Sequence, residues 1–196
     1  MLLQYYYNMN FLYIHGYGSN GNAHKAQLLK QMFPNHSVIS PTIDYDHQYP
    51  TEIQDSLKQI VSKHNIDLIV GSSLGGYHAL CTTQWYKNIV WCINPVRDVT
   101  DTIHRVLLKG NPATGSDLNL VEAYVQFDKQ VFRQLPPRAG QLHFALSVDD
   151  ELLGDHTPLL TQFPHYAHVV WEKESGHQFL KFNSLKNHII QSIQNL

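Results

Sequence analysis

Short β-rich apolar runs alternate with helical patterns along this 196-residue chain, and the alternation restricts the folds that it can adopt. The runs are NFLYI (10–14), SVIS (37–40), DLIVG (67–71), IVWCI (89–93), QLHFALS (141–147) and AHVVWE (167–172). The central runs are too continuous for strands with one exposed face, so they predict strands covered on both faces, as in a parallel sheet. We therefore predict an α/β fold of three layers, a mostly parallel sheet of about six to seven strands with helices on both faces.

Apolar residues at helical spacing lie between these runs. They predict helices over 23–33 and 51–64, a helix that begins directly after the paired serines at 72–73, and a last helix over roughly 178–194. The length suits a single domain over residues 1–196, in which residues 1–8 are an N-terminal extension or an edge strand.

One long segment, about 95–137, does not follow the alternation of strands and helices, and it contains the stretches GNPATG and LPPR. Its helical pattern predicts a small cap insertion over the C-terminal edge of the sheet, where ligands bind in open α/β folds. The alternative is a set of connecting helices that touch no substrate.

The composition argues against several classes of protein. A net charge of −2 without any Lys/Arg run gives no basic footprint, so we predict neither a nucleic-acid nor a membrane partner. The cysteines, Cys81 and Cys92, form no disulfide framework, and residues 1–14 lack the features of a signal peptide, so we predict a cytoplasmic protein. Thirteen histidines raise a metal-dependent hydrolase as one hypothesis. Because they are scattered and form no H-E-x-x-H pair, we predict no metal and no cofactor.

The stretch Gly71-Ser72-Ser73-Leu74-Gly75 matches the pattern G-x-S-x-G, with Ser73 as its central serine. In this pattern a strand turns sharply into a helix and leaves the serine in a strained conformation at the edge of the sheet. The predicted strand before the motif and the predicted helix after it supply that context. We predict Ser73 as a nucleophile and Ser72 as packing or hydrogen-bonding support; the alternative is that both are ordinary turn residues.

A serine hydroxyl is a weak nucleophile, so the motif requires a base and an acid that orients the base. In folds of this kind, the acid and then the histidine follow the serine in loops after later strands. The base we predict is His177, in the stretch ESGHQF after the sixth run. The acid we predict is Asp150, in VDDELL after the fifth run; Asp149 is an alternative acid, and Asp98 after the fourth run is a third possibility.

Acyl transfer also needs two backbone N–H donors that stabilise the oxyanion. One is predicted at Leu74, directly after the predicted nucleophile and at the N-terminus of a helix. The other is predicted at Tyr17, in the loop HGYGSNG that follows the first strand. His15, the first residue of that stretch, is predicted to brace the loop rather than to take part in the chemistry.

With YIHGYGSN, VGSSLGGYHA, VDDELL and ESGHQF in this order, the chain resembles the α/β-hydrolase superfamily. It is most similar to the small bacterial esterases of the YqiA/YcfP type, over roughly residues 10–190. The resemblance implies an α/β-hydrolase fold and an ester or thioester hydrolase with Ser73, Asp150 and His177 as its triad. Some members of this group replace the serine of the motif, and this chain keeps it.

These features predict a cofactor-free serine hydrolase, an esterase or thioesterase whose partner is a small acyl ester or thioester, as a monomer or a homodimer. The alternative is a catalytically silent binding or scaffold protein, because a fold does not imply a function. Apolar side chains of the cap would line an acyl pocket or, as we expect for most of them, form the packing of the cap itself. They are Val106, Leu107, Leu108, Leu120, Tyr124 and Phe127.

Overall fold

The computed structural model describes residues 8–107, 116–134 and 141–195. Six parallel strands form one sheet in the order β2-β1-β3-β4-β5-β6. The strands are β1 (Asn10–Ile14), β2 (Ser37–Ile39), β3 (Leu68–Ser72), β4 (Ile89–Ile93), β5 (Leu142–Ser147) and β6 (His168–Glu172). Each strand lies within one of the six apolar runs or extends it by one residue, so the predicted parallel sheet is confirmed.

Helices follow most of the strands. They are α1 (His24–Met32), α2 (Pro50–His64), α3 (Leu74–Thr82), α4 (Val99–Thr102), α5 (Ser116–Gln130), α6 (Thr157–Gln162) and α7 (Leu185–Gln194). A π-helical turn (Ile103–Leu107) continues α4, and short 3-10 turns lie at Phe132–Gln134 and Phe182–Ser184. The helices predicted over 23–33 and 51–64 correspond to α1 and α2.

The core has two halves, one on each face of the sheet. In β1 the side chains alternate: Phe11 and Tyr13 belong to the half that α1 and α7 cover, whereas Leu12 and Ile14 belong to the half that α2, α3 and α5 cover. Strands β3 and β4 are buried along their whole length, which explains why their sequences show no polar alternation. Complete burial of one such aliphatic or aromatic side chain contributes about 1.5–3 kcal/mol.

The last helix begins later than the sequence pattern predicts. The predicted start near residue 178 is wrong, because α7 begins at Leu185 and the preceding residues form turns. Phe179 has a φ of 49° and Gly176 a φ of 58°, and a chain in this left-handed region cannot continue a right-handed helix. Phe179 and Phe182 are nevertheless buried in the same half of the core as α7, so their apolar spacing reports burial rather than a helix.

The described part of segment 95–137 is mostly helical and comprises α4, the π-helical turn, α5 and the 3-10 turn at Phe132–Gln134, which fits both the cap hypothesis and the alternative of connecting helices. Leu120, Tyr124 and Phe127 of α5 are buried in the same half of the core as α3, where the rings of Tyr124 and Phe127 lie beside Tyr77. These three residues therefore belong to the main core of the domain rather than to a packing of the cap alone. Leu108 and the side chains of Val106 and Leu107 lie outside the described part of the chain.

Candidate active site

Ser73 connects the end of β3 to the start of α3 in a strained conformation, with φ 56° and ψ −121°. Its N–H donates to the carbonyl of Ile93 (2.9 Å), and its carbonyl accepts from the N–H of Val96 (3.2 Å). A non-glycine residue held at positive φ costs on the order of 1–3 kcal/mol, which the surrounding structure must offset. The sharp turn predicted from G-x-S-x-G is therefore present, and the end of β4 holds it.

The glycines around Ser73 are required by close packing. A Cβ on Gly75 would overlap the carbonyl oxygens of Ile14 and His15, and a Cβ on Gly71 would overlap the carbonyl oxygen of Gly75. At Gly76 the added atom would lie 2.9 Å from Cβ of Pro95. These contacts let α3 approach β1 and β4 closely enough to hold the turn at the edge of the sheet.

His177 connects the serine to a carboxylate. Its Nε2 lies 2.9 Å from Oγ of Ser73, and its Nδ1 lies 3.0 Å from both carboxylate oxygens of Asp150. A carboxylate only accepts hydrogen bonds, so Nδ1 carries the ring proton and Nε2 is free to accept from the serine hydroxyl. The structure thus brings together Ser73, His177 and Asp150, the three residues of the predicted triad.

Asp150 is almost completely buried, and its carboxylate is held from several sides. The N–H groups of Leu152 and Leu153 donate to Oδ1 (3.0 and 2.8 Å), and Nε2 of His156 donates to Oδ2 (3.0 Å). Burial alone would raise the pKa of Asp150. The hydrogen bonds from His156, His177 and Leu153 more than offset it and hold that pKa well below its usual value. Asp150 is therefore an anion throughout the physiological range.

The two neighbouring acids hold the backbone beside His177 rather than its ring. Asp149 is exposed and accepts from the N–H groups of Ser175 (3.2 Å) and Gly176 (3.4 Å). Glu151 accepts from the N–H of His177 through Oε2 (2.8 Å). The structure does not bring Asp149, the alternative acid, to the imidazole of His177.

The third possible acid has a different environment. Asp98 is exposed and caps the N-terminus of α4, where its Oδ1 accepts from the N–H of Asp101 (2.9 Å). Because this carboxylate binds α4, it is not placed to orient His177.

The loop after β1 lies directly against the serine. A Cβ on Gly16 would lie 3.1 Å from Cβ of Ser73. The buried ring of His15 accepts from the N–H of Ile43 through Nε2 (2.9 Å), and its Nδ1 contacts the carbonyl oxygen of Gly16 (2.8 Å). These contacts brace the loop, as the sequence predicts for His15.

The two predicted oxyanion donors flank Ser73. Leu74 is the first residue of α3, so its N–H has no acceptor within the helix. Tyr17 follows Gly16, and both Tyr17 and Leu74 line the same cavity as Ser73. The hydroxyl of Tyr17 donates to Oδ1 of Asp46 (2.9 Å), and this bond holds the side chain of the loop residue.

A cavity of about 470 Å³ opens over Ser73 and His177. This volume is in the range of small-molecule sites. Apolar side chains from the start of the cap segment, the loop after β5 and the turns before α7 line much of it: Val96, Val99, Ile103, Leu152, Phe179, Leu180 and Phe182. The start of the cap segment therefore does contribute to the site, whereas Leu120, Tyr124 and Phe127 are not among the lining residues.

The described residues contain no group of three or more His, Cys, Asp or Glu side chains arranged to hold a metal ion. Within the same residues, none of the helices has the length and apolar character needed to cross a membrane.

The family profile described as "Uncharacterised protein family (UPF0227)" matches residues 10–194. The chain belongs to the UPF0227 family. This result agrees with the resemblance that the sequence motifs indicate, and the match extends over nearly the whole chain.

Solved structures similar to this UPF0227 protein are α/β-hydrolases. Est1E from Butyrivibrio proteoclasticus matches with a TM-score of 0.74 at 10% identity, over 95% of this chain and 89% of that chain. Mouse alpha/beta hydrolase domain-containing protein 10 matches with a TM-score of 0.72 at 17% identity, over 94% of this chain and 89% of that one. The esterase domain from a Rhodothermus marinus protein matches with a TM-score of 0.70 at 13% identity, over 95% and 86%. At these identities the comparisons show the α/β-hydrolase fold.

Asn94 is a buried residue of this UPF0227 site that sequence reasoning missed. Asn94, at the end of β4, has a φ of 38° and donates through Nδ2 to the carbonyl oxygens of Gly176 (3.0 Å) and His177 (3.1 Å). Its Oδ1 accepts from the N–H of Ser147 (2.8 Å), so one amide joins the ends of β4 and β5 to the histidine loop. The signal available was a polar residue directly after a fully apolar strand, in the stretch INP.

Proposed function

We propose that this protein is a serine hydrolase that cleaves carboxylic esters or thioesters through an acyl-enzyme intermediate. One observation carries the proposal: Nε2 of His177 lies 2.9 Å from Oγ of Ser73, while its Nδ1 is bonded to the buried carboxylate of Asp150. This arrangement is the one a hydroxyl needs to lose its proton as it attacks.

In the first half of the reaction, Oγ of Ser73 attacks the acyl carbon while Nε2 of His177 takes the hydroxyl proton. Asp150 holds the imidazole in the correct tautomer and stabilises the imidazolium that forms. The buried, hydrogen-bonded carboxylate is prepared for this role, because it is already charged and needs no rearrangement.

The negative charge that develops on the acyl oxygen needs donors beside Ser73. The N–H of Leu74 at the start of α3 and the N–H of Tyr17 in the loop after β1 are the donors we propose. The imidazolium then gives its proton to the leaving alcohol or thiol, and the acyl group remains on Ser73. Water deprotonated by His177 attacks this ester in the second half and releases the acid.

The cavity supports an acyl substrate of modest size. Its lining is largely aliphatic and aromatic away from Ser73 and His177, which favours an alkyl or aryl acyl chain. Neither the transfer of the acyl group to Ser73 nor the hydrolysis of the acyl-enzyme requires a group other than the protein and water.

The experiment is intact-mass analysis after treatment with a fluorophosphonate, which phosphonylates activated serines. Ser73→Ala is compared with the wild type, and Ser72→Ala is the matched control because Ser72 is adjacent, buried and bonded to Tyr13. We expect one adduct on the wild type and on Ser72→Ala and none on Ser73→Ala. We also expect Ser73→Ala to lower kcat for short acyl esters by on the order of 10³-fold or more.

Thermal unfolding of the three proteins provides the folding control. A wild-type protein that unfolds cooperatively yet forms no adduct contradicts the hydrolase proposal and leaves the binding-protein alternative. An adduct that persists on Ser73→Ala contradicts the assignment of the nucleophile.

A further inference from the structure

Lys25 is the second residue of α1 and lines the cavity that contains Ser73 and His177. Its side chain is half-buried, whereas Lys30, one helical turn and a residue further along α1, is exposed. A lysine withdrawn from solvent ordinarily has a carboxylate partner, because an isolated buried charge is unfavourable. Among the described residues, no carboxylate oxygen lies within 4.0 Å of the Lys25 amine.

The charged groups of the cavity lining also indicate that Lys25 has no anionic partner in the protein. Among the described residues, the lining includes Lys25 and two histidines, His24 and His177, and it includes no Asp or Glu. Two acids near His177 are already engaged: Asp150 binds its ring, and Glu151 binds its N–H. Within the described part of the chain, the cavity therefore presents a positive charge with no Asp or Glu in its lining to balance it.

Burial has a measurable consequence for the free amine. It lowers the pKa of Lys25 to about 8, the change expected when an ammonium loses water without gaining a partner. A bound anion would restore the missing interaction and favour the charged amine. Among the described residues, the other titratable groups of the lining are His24, His177, Tyr13 and Tyr17. A histidine side chain carries no negative charge, and burial raises the pKa of the Tyr13 and Tyr17 hydroxyls, so none of these groups supplies an anion.

We propose that Lys25 binds an anionic group of the substrate, so that the protein prefers esters or thioesters that carry a carboxylate or phosphate away from the cleaved bond. This inference rests on the proposed hydrolase function and names its substrate class. A point-charge ammonium on a flexible stem suits either anion. The anion belongs to the acyl chain or to the leaving group, and the experiment distinguishes these two sources.

Two pairs of esters are compared by kcat/KM. The acyl-side pair is para-nitrophenyl hydrogen adipate and its neutral methyl ester. The leaving-side pair is para-carboxyphenyl butyrate and its neutral methyl ester. The proteins are the wild type, Lys25→Gln, Lys25→Arg, which keeps the charge, and Lys30→Gln, the control on the exposed part of the same helix. Comparing anionic-to-neutral ratios between proteins cancels the intrinsic reactivity of each ester.

We expect Lys25→Gln to lower the anionic-to-neutral ratio by on the order of 10- to 100-fold for one pair, since a hydrogen bond to a charged group is lost. Lys25→Arg should retain much of the preference, and Lys30→Gln should leave it unchanged. In the wild type the same ratio should fall as pH rises through about 8, because the amine loses its proton. The pair that responds identifies which side of the ester carries the anion.

Unchanged ratios in Lys25→Gln for both pairs, with Ser73-dependent hydrolysis of the neutral esters, would overturn this inference and leave the hydrolase proposal intact. If the wild type hydrolyses none of the four esters and forms no fluorophosphonate adduct, the hydrolase proposal fails, and this inference fails with it.

Discussion

Nε2 of His156 lies 3.0 Å from Oδ2 of Asp150, and both side chains are almost completely buried. The same carboxylate receives Nδ1 of His177, so one acid is shared by two histidines. His156 precedes α6 and does not line the cavity, so it acts on the site only through Asp150. It is a positioning residue for the predicted acid.

We expect His156→Leu to lower kcat by about 10-fold, because Asp150 loses one charge-assisted hydrogen bond and orients His177 less well. His156→Gln keeps an N–H donor and should recover part of the activity. Steady-state kinetics on one para-nitrophenyl ester measures both losses, and thermal unfolding is the folding control. Equal losses of kcat in both variants would indicate a purely structural role.

Substitution of the two adjacent aspartates, Asp149 and Asp150, distinguishes their roles. We expect Asp150→Asn to lower kcat by on the order of 10⁴-fold, because the amide no longer fixes the tautomer of His177. Asp149→Asn should cost less than about 10-fold, because exposed Asp149 accepts from the backbone N–H groups of Ser175 and Gly176 rather than from the ring of His177. Steady-state kinetics on one para-nitrophenyl ester tests both. A larger loss in Asp149→Asn than in Asp150→Asn would reverse the assignment.

Much of the fold, and the candidate residues Ser73, Asp150 and His177, could be predicted from the sequence for a physical reason. Strands buried on both faces must be apolar throughout, and the turn at Ser73 needs small neighbours, so both leave local patterns. The hydrogen bonds between His156 and Asp150 and between Asn94 and Gly176 leave no such local pattern, because these residues come together only in the folded chain. Lys25 likewise looks like an ordinary surface residue of an amphipathic helix until the cavity beside it is known.

Gly75→Ala should destabilise the protein strongly. The added Cβ would overlap the carbonyl oxygens of Ile14 and His15, and these backbone atoms lie at the end of central strand β1, where they cannot easily move aside. We expect the free energy of unfolding in urea to fall by about 1–3 kcal/mol or more. Ser62→Ala, at an exposed position of α2, is the control and should change it by less than about 0.5 kcal/mol. A Gly75→Ala variant as stable as that control would contradict the close packing of α3 on β1.

His143 makes the stability of the fold depend on pH. It is buried in β5, where its ring stacks on Trp91 at a centroid distance of 4.8 Å, and neither ring nitrogen has a hydrogen-bond partner among the described residues. Burial, and then the neighbouring His168 of β6, lowers the pKa of His143 to about 4. The unfolded chain, with an ordinary pKa near 6.5, therefore binds more protons than the folded protein between about pH 4 and pH 6.5.

The free energy of unfolding should consequently decrease as pH falls through this window, by about 2 kcal/mol between pH 7.5 and pH 5 from His143 alone. His143→Phe keeps an aromatic ring against Trp91 and removes the two unpaired nitrogens. We expect this variant to lose that part of the pH dependence and to be more stable than the wild type near pH 5. Urea denaturation at the two pH values measures the difference, with exposed His165→Asn as the control. If His143→Phe and the wild type lose stability in parallel on acidification, the buried imidazole is not the cause.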